Sequence, residues 1–285
     1  MAKNKNKKVK EPKYIPSKLN TLMLNYSVYY MSIFEKIIVS ALAFCGGGIV
    51  SNVFFGGLFR NSDGNPTTAT HISDAVFFIV IGLIVVKFAL PIYAQKMKSK
   101  RDDKLKKQFR DMLQSLAASF SAGSNVHDAF ESSCADLMLQ YSASDFIVLE
   151  MKEIVNGMYQ NIAVEDMIRD FAARSGNDDI SSFADVFGIC YHKGGDMNTV
   201  INRTASVISG KMEIMDEIET KLTSNKLQHT VMSVMPIVIV GILKSTNDSF
   251  AQSFASPLGI VVNIVAICIF IGAYVYGSKI CQIKV

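Results

Sequence analysis

The sequence predicts an all-α membrane protein, with four transmembrane helices, two before and two after, flanking a cytoplasmic six-helix bundle domain. Three observations predict it. Hydrophobic residues make up 49% of the 285 positions and the mean hydropathy is positive, more apolar surface than one soluble core uses. Long apolar runs occur in pairs near the two ends of the chain. The stretch between the pairs repeats its apolar residues every three or four positions, the period of an amphipathic helix.

In chain order, residues 1 to about 13 are rich in lysine and asparagine and are expected to be disordered. Leu19, Leu22, Met23, Tyr26, Tyr30, Ile33 and Phe34 then follow at helical spacing, which predicts a helix lying in the membrane interface or extending the first span inward. Together these form a first segment, 1–36. The first transmembrane pair occupies 37–95, with spans from Ile37 to Phe59 and from Ala75 to Ala94, each long enough for about 30 Å of hydrocarbon. The second pair occupies 229–285. Leu258 to Gly277 is its clean span, opened by Ser256 as N-cap and Pro257 at the first helical position, where the missing N–H costs nothing. Thr230 to Leu243 is short, roughly 21 Å at helical rise. It is read as a span because only then do the basic centre and the C-terminus share one side, with Lys244 reaching to the interface.

Orientation follows the lysines and arginines. Lys3, Lys5, Lys7, Lys8, Lys10 and Lys13 precede the first span; Lys96, Lys98, Lys100, Arg101, Lys104, Lys106 and Lys107 follow the second. Both groups belong in the cytoplasm, which places both termini inside and the connectors Arg60–Asp74 and Ser245–Ser256 outside. No cleavable signal peptide is legible in the basic start. The net charge of +4 sits in this tail and beside the membrane, which favours anionic lipid over nucleic acid as partner.

The intervening domain, 96–228, reads as helices throughout. Leu105, Phe109, Met112, Leu113, Leu116 and Phe120 repeat up to Gly123. Ser124 or Asn125 caps a second helix with Val126, Ala129, Phe130 and Leu137. A third, from Phe146 to Val155, is capped by Ser142 or Ser144 and ends at Gly157. The fourth carries Val164, Met167, Ile168 and Phe171 and stops at Gly176. The fifth, Ile180 to Tyr191, starts after Asn177 with Asp178 and Asp179 at the positive end of its dipole, and ends at Gly194 and Gly195. From Asp196 the repeat runs unbroken to Pro236, predicting one long helix from the domain into the third span. Strands have almost no support.

No set of residues converges on catalysis. Phosphate-binding Gly-Lys-Ser/Thr loops, H-E-x-x-H and G-x-S-x-G are all absent, and His71, His127, His192 and His229 are scattered. His127 and Glu131 read as a solvated i,i+4 pair. Cys45, Cys134, Cys190, Cys268 and Cys281 contain no C-x-x-C and predict neither a zinc site nor a disulfide framework. The expectation is therefore no enzyme, no cofactor and no metal. Inside the spans, Lys87 reads as a snorkelling side chain rather than an ion path. Asn52 and Asn263 are candidates for a hydrogen bond across a helix interface, and Gly46, Gly47 and Gly48 for close backbone approach.

The stretch Phe109 to Phe130, FRDMLQSLAASFSAGSNVHDAF, resembles the opening of the type II secretion system F domain, where a helix ending in Ala-Gly leads to a capped apolar helix. The stretch Phe183 to Met197, FADVFGICYHKGGDM, followed by Val200 and Ile201, is similar to that family's helix, Gly-Gly turn and long helix into the membrane. One such domain between two pairs of spans resembles the platform subunits of the Tad (tight adherence, Flp-type) pilus system. The resemblance implies an inner-membrane platform that contacts a hexameric secretion ATPase, a paralogous subunit or copies of itself, and pilin. It supplies no catalytic residues. Gly194, Gly195 and Asp196 at the turn, with Asp178 and Asp179, are the candidate partner contacts. Against this stand a transporter or channel, which should show more intramembrane polar groups than Lys87 and Pro236, and a membrane-anchored signalling module, which should carry a ligand or nucleotide motif.

Overall fold

The structure, a computed structural model, describes residues 11–57 and 68–280. The all-α expectation holds for almost all of them. Nine helices are described: α1 (Ile33–Phe55), α2 (Thr68–Ser121), α3 (Val126–Gln140), α4 (Phe146–Tyr159), α5 (Val164–Ser175), α6 (Asp178–Lys193), α7 (Met197–Thr246), α8 (Asp248–Ala255) and α9 (Pro257–Ile280). Two short strands precede them, β1 (Tyr14–Pro16) and β2 (Leu22–Leu24), paired antiparallel with Ile15 opposite Met23. The expected basic start, most of the first connector with Arg60, and Cys281 lie outside the described residues.

Among the described residues the chain forms two compact units. One contains 11–30 and 94–213; the other contains 31–57, 68–93 and 214–280. In the first, the predicted apolar stripe of α2 is the centre of the core: Leu105, Phe109, Met112, Leu113 and Leu116 are at most 1% exposed. α3 packs on α4, α4 on α5 and α5 on α6, closing Phe130, Ile147, Met151, Phe171, Phe183 and Phe187 into the same cluster. Phe109 meets the Phe183 ring edge-on with centroids 5.5 Å apart, geometry that adds to plain area burial.

Local signals set the helix ends. Asn125 accepts a hydrogen bond from the Asp128 N–H at 2.9 Å and opens α3. α5 stops at Gly176 and α6 at Gly194, both left-handed, as the predicted glycine stops require. Asn177 caps α6 by accepting from the Asp179 and Ile180 N–H groups, and it is buried at 4% exposure. Asn177→Ala is therefore expected to lower unfolding free energy by about 1–2 kcal/mol. Chemical denaturation followed by circular dichroism checks this, and an unchanged midpoint would show that the cap contributes nothing.

Two expectations are corrected and two features are added. The stripe from Leu19 to Phe34 is not one helix: residues 14–24 form the β1–β2 hairpin, whose turn holds Asn20 at φ 58°, Leu19, Leu24 and Tyr26 pack on the core cluster, and only Ile33 and Phe34 extend the first span inward as the start of α1. The second span and the first domain helix are one continuous helix, α2, of 54 residues. α4 begins after Asp145 rather than Ser142 or Ser144, and passes Gly157 to Tyr159 because Gly157 lies against the Met167 side chain and serves packing instead of termination. The connector after the third apolar stretch folds as α8, capped by Asn247. The long helix expected from Asp196 is present as the 50-residue α7, with Pro236 inside it.

In the second unit, α1 and the first part of α2 are long and apolar enough to cross a membrane; Thr230–Thr246 in α7 and Leu258–Tyr274 in α9 are shorter apolar stretches. Ser256 and Pro257 open α9 as the sequence predicts, with the Ser256 hydroxyl accepting from the Gly259 N–H at 3.0 Å.

Candidate functional site

Two polar constellations stand out, one in each unit. In the first unit, α4 and α5 carry charges on faces otherwise given to the core. Glu150 lies among Ile147, Met151 and Ile154 and is 1% exposed; Arg174, in the last turn of α5, is 3% exposed. Their side chains form two parallel hydrogen bonds, each 2.7 Å, and Arg174 Nε donates to Asp170 at 2.9 Å. The Tyr26 hydroxyl donates to Glu150 at 2.9 Å, and the Tyr26 N–H donates to the Arg174 carbonyl at 2.9 Å. One turn further along α4, the Ser17 and Thr21 hydroxyls both donate to Glu153. Arg101 on α2 donates to the Tyr26 and Val28 carbonyls and lies over the Tyr29 ring.

Burial and geometry act in opposite directions on this network. Burial, helped by the charge of Asp170, raises the Glu150 carboxyl despite the opposing pull of Arg174 and Tyr26. Burial also acts to lower Arg174, but the hydrogen bonds and charges of Glu150 and Asp170 outweigh it and raise its pKa. The fork-to-fork geometry decides for the ion pair, since both carboxyl oxygens accept at once only when neither carries a proton. Burial, then the charge of Glu150, raises the Tyr26 phenol, so it stays a donor.

In the second unit, the end of α1 is held by side chains from three other helices. Lys244 on α7 donates to the Val53 carbonyl at 3.2 Å and to the Gly56 carbonyl. Asn263 on α9, 6% exposed, donates to the Phe54 carbonyl at 2.8 Å. Asp74 on α2 accepts from the Gly57 N–H at 3.0 Å. Lys244 thus serves as a helix cap instead of snorkelling, and Asn263 meets the α1 backbone rather than Asn52, whose side chain is exposed. The α1–α2 contact is made at glycine: a Cβ on Gly47 would fall 2.9 Å from Val85, and one on Gly48 would enter the Phe78 ring, while Gly46 has open space. Lys87 is exposed on α2.

The partner-contact candidates are not brought together. Asp178 and Asp179 open α6 and Gly194 closes it, roughly 22 Å away at helical rise. Asp178 is exposed, whereas Asp179 pairs with Lys211 at 2.8 Å. Gly194, Gly195 and Asp196 are exposed at the turn. Asp196 caps α7 through Thr199, and that hydrogen bond holds its carboxyl below the usual range. Gly195 sits where a Cβ would meet Cys190 Sγ at 2.7 Å. His127 stays 3.9 Å from Glu131 on an open face, where Tyr159 donates to Glu131 at 2.8 Å.

The sequence reading missed the Tyr26–Glu150–Arg174 network altogether. Its one legible trace is a carboxylate, Glu150, inside an apolar helical stripe. Compared with known protein families, curated proteins and solved structures, the chain matches none.

Proposed function

We propose that the chain is an inner-membrane platform subunit of a pilus-assembly or secretion machine of the type II secretion F-domain kind, with a Tad-like arrangement of four spans around one cytoplasmic domain. The observation that carries the reading is the passage from α6 to α7. An amphipathic helix ends at left-handed Gly194, an exposed two-glycine turn follows, and Asp196 caps a 50-residue helix whose far end is apolar. This is the order of elements that the Phe183–Met197 resemblance implies.

The four-span arrangement has its own support in the second unit. The end of α1 shares one level with Asp74 near the start of α2, Lys244 near the end of α7 and Asn263 near the start of α9. Helices that end, begin, end and begin at one level alternate in direction, the pattern of four consecutive crossings. The six helical segments of the first unit are then the cytoplasmic bundle, both termini are cytoplasmic, and the exposed Lys96, Lys98 and Lys100 meet anionic headgroups. ATP hydrolysis belongs to a partner hexamer that docks at the Gly194–Asp196 end, pilin is the cargo, and a paralogue or further copies complete the platform.

Co-purification of the tagged full-length chain from its native membrane, in mild detergent, tests the proposal. Recovery of a secretion-type ATPase together with a second four-span protein is the expected result. Repeated absence of both from purifications whose starting extract contains them would overturn it.

A further inference from the structure

Residues 11–30 belong to the helical unit in space but are joined to it by no neighbouring helix in sequence. We infer that they are a bound ligand of that unit: the face between α4 and α5 is a binding site for an extended, tyrosine-anchored segment, and this chain's own residues 11–30 are its resident occupant.

Three observations carry the inference. First, the contacts are those of a peptide in a groove. One aromatic anchor, Tyr26, is 5% exposed with its ring edge-on to Phe146 and Phe171 and its hydroxyl on Glu150; two hydroxyls, Ser17 and Thr21, converge on Glu153; and backbone carbonyls are taken by Arg101. Second, a lone two-stranded hairpin is marginal in water, so β1–β2 owes its order to the surface it lies on. Third, the surface keeps its charges satisfied when vacated. Glu150 retains both Arg174 hydrogen bonds and Arg174 retains Asp170, while Glu153 gains water in place of two hydroxyls. No buried charge is orphaned by departure, the condition under which losing a segment need not unfold its host. The specificity is equally legible: a phenol at the Glu150 position, hydroxyls five and nine residues before it at the Glu153 position, and a leucine two before it, Leu24, against the core.

The site is tested by vacating it in the full-length, detergent-solubilised chain with Ser17→Ala, Thr21→Ala and Tyr26→Ala together, and separately by deleting residues 11–26. A fluorescein-labelled synthetic peptide of residues 11–30 is then titrated by anisotropy, with circular dichroism melts run alongside. Both vacated forms are expected to keep a cooperative melt and to bind the peptide saturably, at least tenfold more tightly than the wild-type chain does. A peptide with Tyr26→Phe is expected to bind roughly tenfold more weakly, the loss of one hydrogen bond to a charged group. Folded vacated forms without saturable binding would overturn the inference. Loss of the cooperative melt in both forms would equally overturn it, since the segment would then be part of the core. This outcome is independent of which machine the chain serves.

Discussion

Replacing Arg174 with methionine is expected to remove about 3–5 kcal/mol from the stability of the helical unit, because it leaves the Glu150 carboxylate without its charge partner at 1% exposure. The sign of the pH dependence follows. Burial already raises the Glu150 pKa and Arg174 opposes the rise, so its removal lifts the folded-state pKa further above the unfolded value of about 4.3. A group whose pKa is raised on folding contributes stability below its unfolded pKa and loses it as pH rises through the folded pKa. The Arg174→Met deficit should therefore shrink as pH is lowered from 8 towards 5, because removal of Arg174 enlarges a trend that Glu150 already has in the wild-type fold. Glu150→Met combined with Arg174→Met should recover most of the loss, since a buried pair replaced by apolar residues of similar volume is often near neutral. Guanidinium denaturation of the full chain in detergent, followed at several pH values, reads both variants against the wild-type chain. A single-variant cost below about 1 kcal/mol, or a deficit independent of pH, would show that water already reaches the pair.

What the sequence reveals here is what is local. The core stripe of α2 and the ends of α3, α5, α6 and α9 are written in spacing and in single residues: Asn125, Gly176, Asn177, Gly194, Ser256. Each acts within one turn of itself, so no distant contact has to be known. The hairpin is the opposite case. Leu19, Leu22, Met23 and Tyr26 fit a helical repeat, yet Leu22 and Leu24 also fit a strand, and Pro16, Ser17 and Asn20 supply turn chemistry. The choice is made by Glu150 and Glu153, far along the chain, and periodicity carries no information about them. Lys244 and Asn263 show the same limit in a milder form. A polar side chain near the end of an apolar helix needs a partner, and the sequence states that need without saying whether a headgroup, another side chain or a backbone carbonyl meets it.

Lys244→Met should accordingly destabilise the apolar unit by about 2–6 kcal/mol, from two backbone carbonyls losing a charged donor at roughly 1–3 kcal/mol each. The helix itself offers no replacement at Val53. Its i+4 donor would be the Gly57 N–H, and that group is committed to Asp74. Lysine is therefore acting as the missing turn of α1, supplied from α7. Lys244→Arg, which keeps donors and charge, should retain most of the stability, whereas a snorkelling lysine whose head met only water and lipid would tolerate methionine with little change. Asn263→Leu orphans the Phe54 carbonyl in the same way and should cost about 1–3 kcal/mol. The two losses should couple in a double-mutant cycle, because both side chains hold one helix end. Reversible unfolding of the bilayer-reconstituted protein measures them. Equal stability of Lys244→Met and the wild-type chain would refute the cap and, with it, the shared level of helix ends on which the four-crossing arrangement rests.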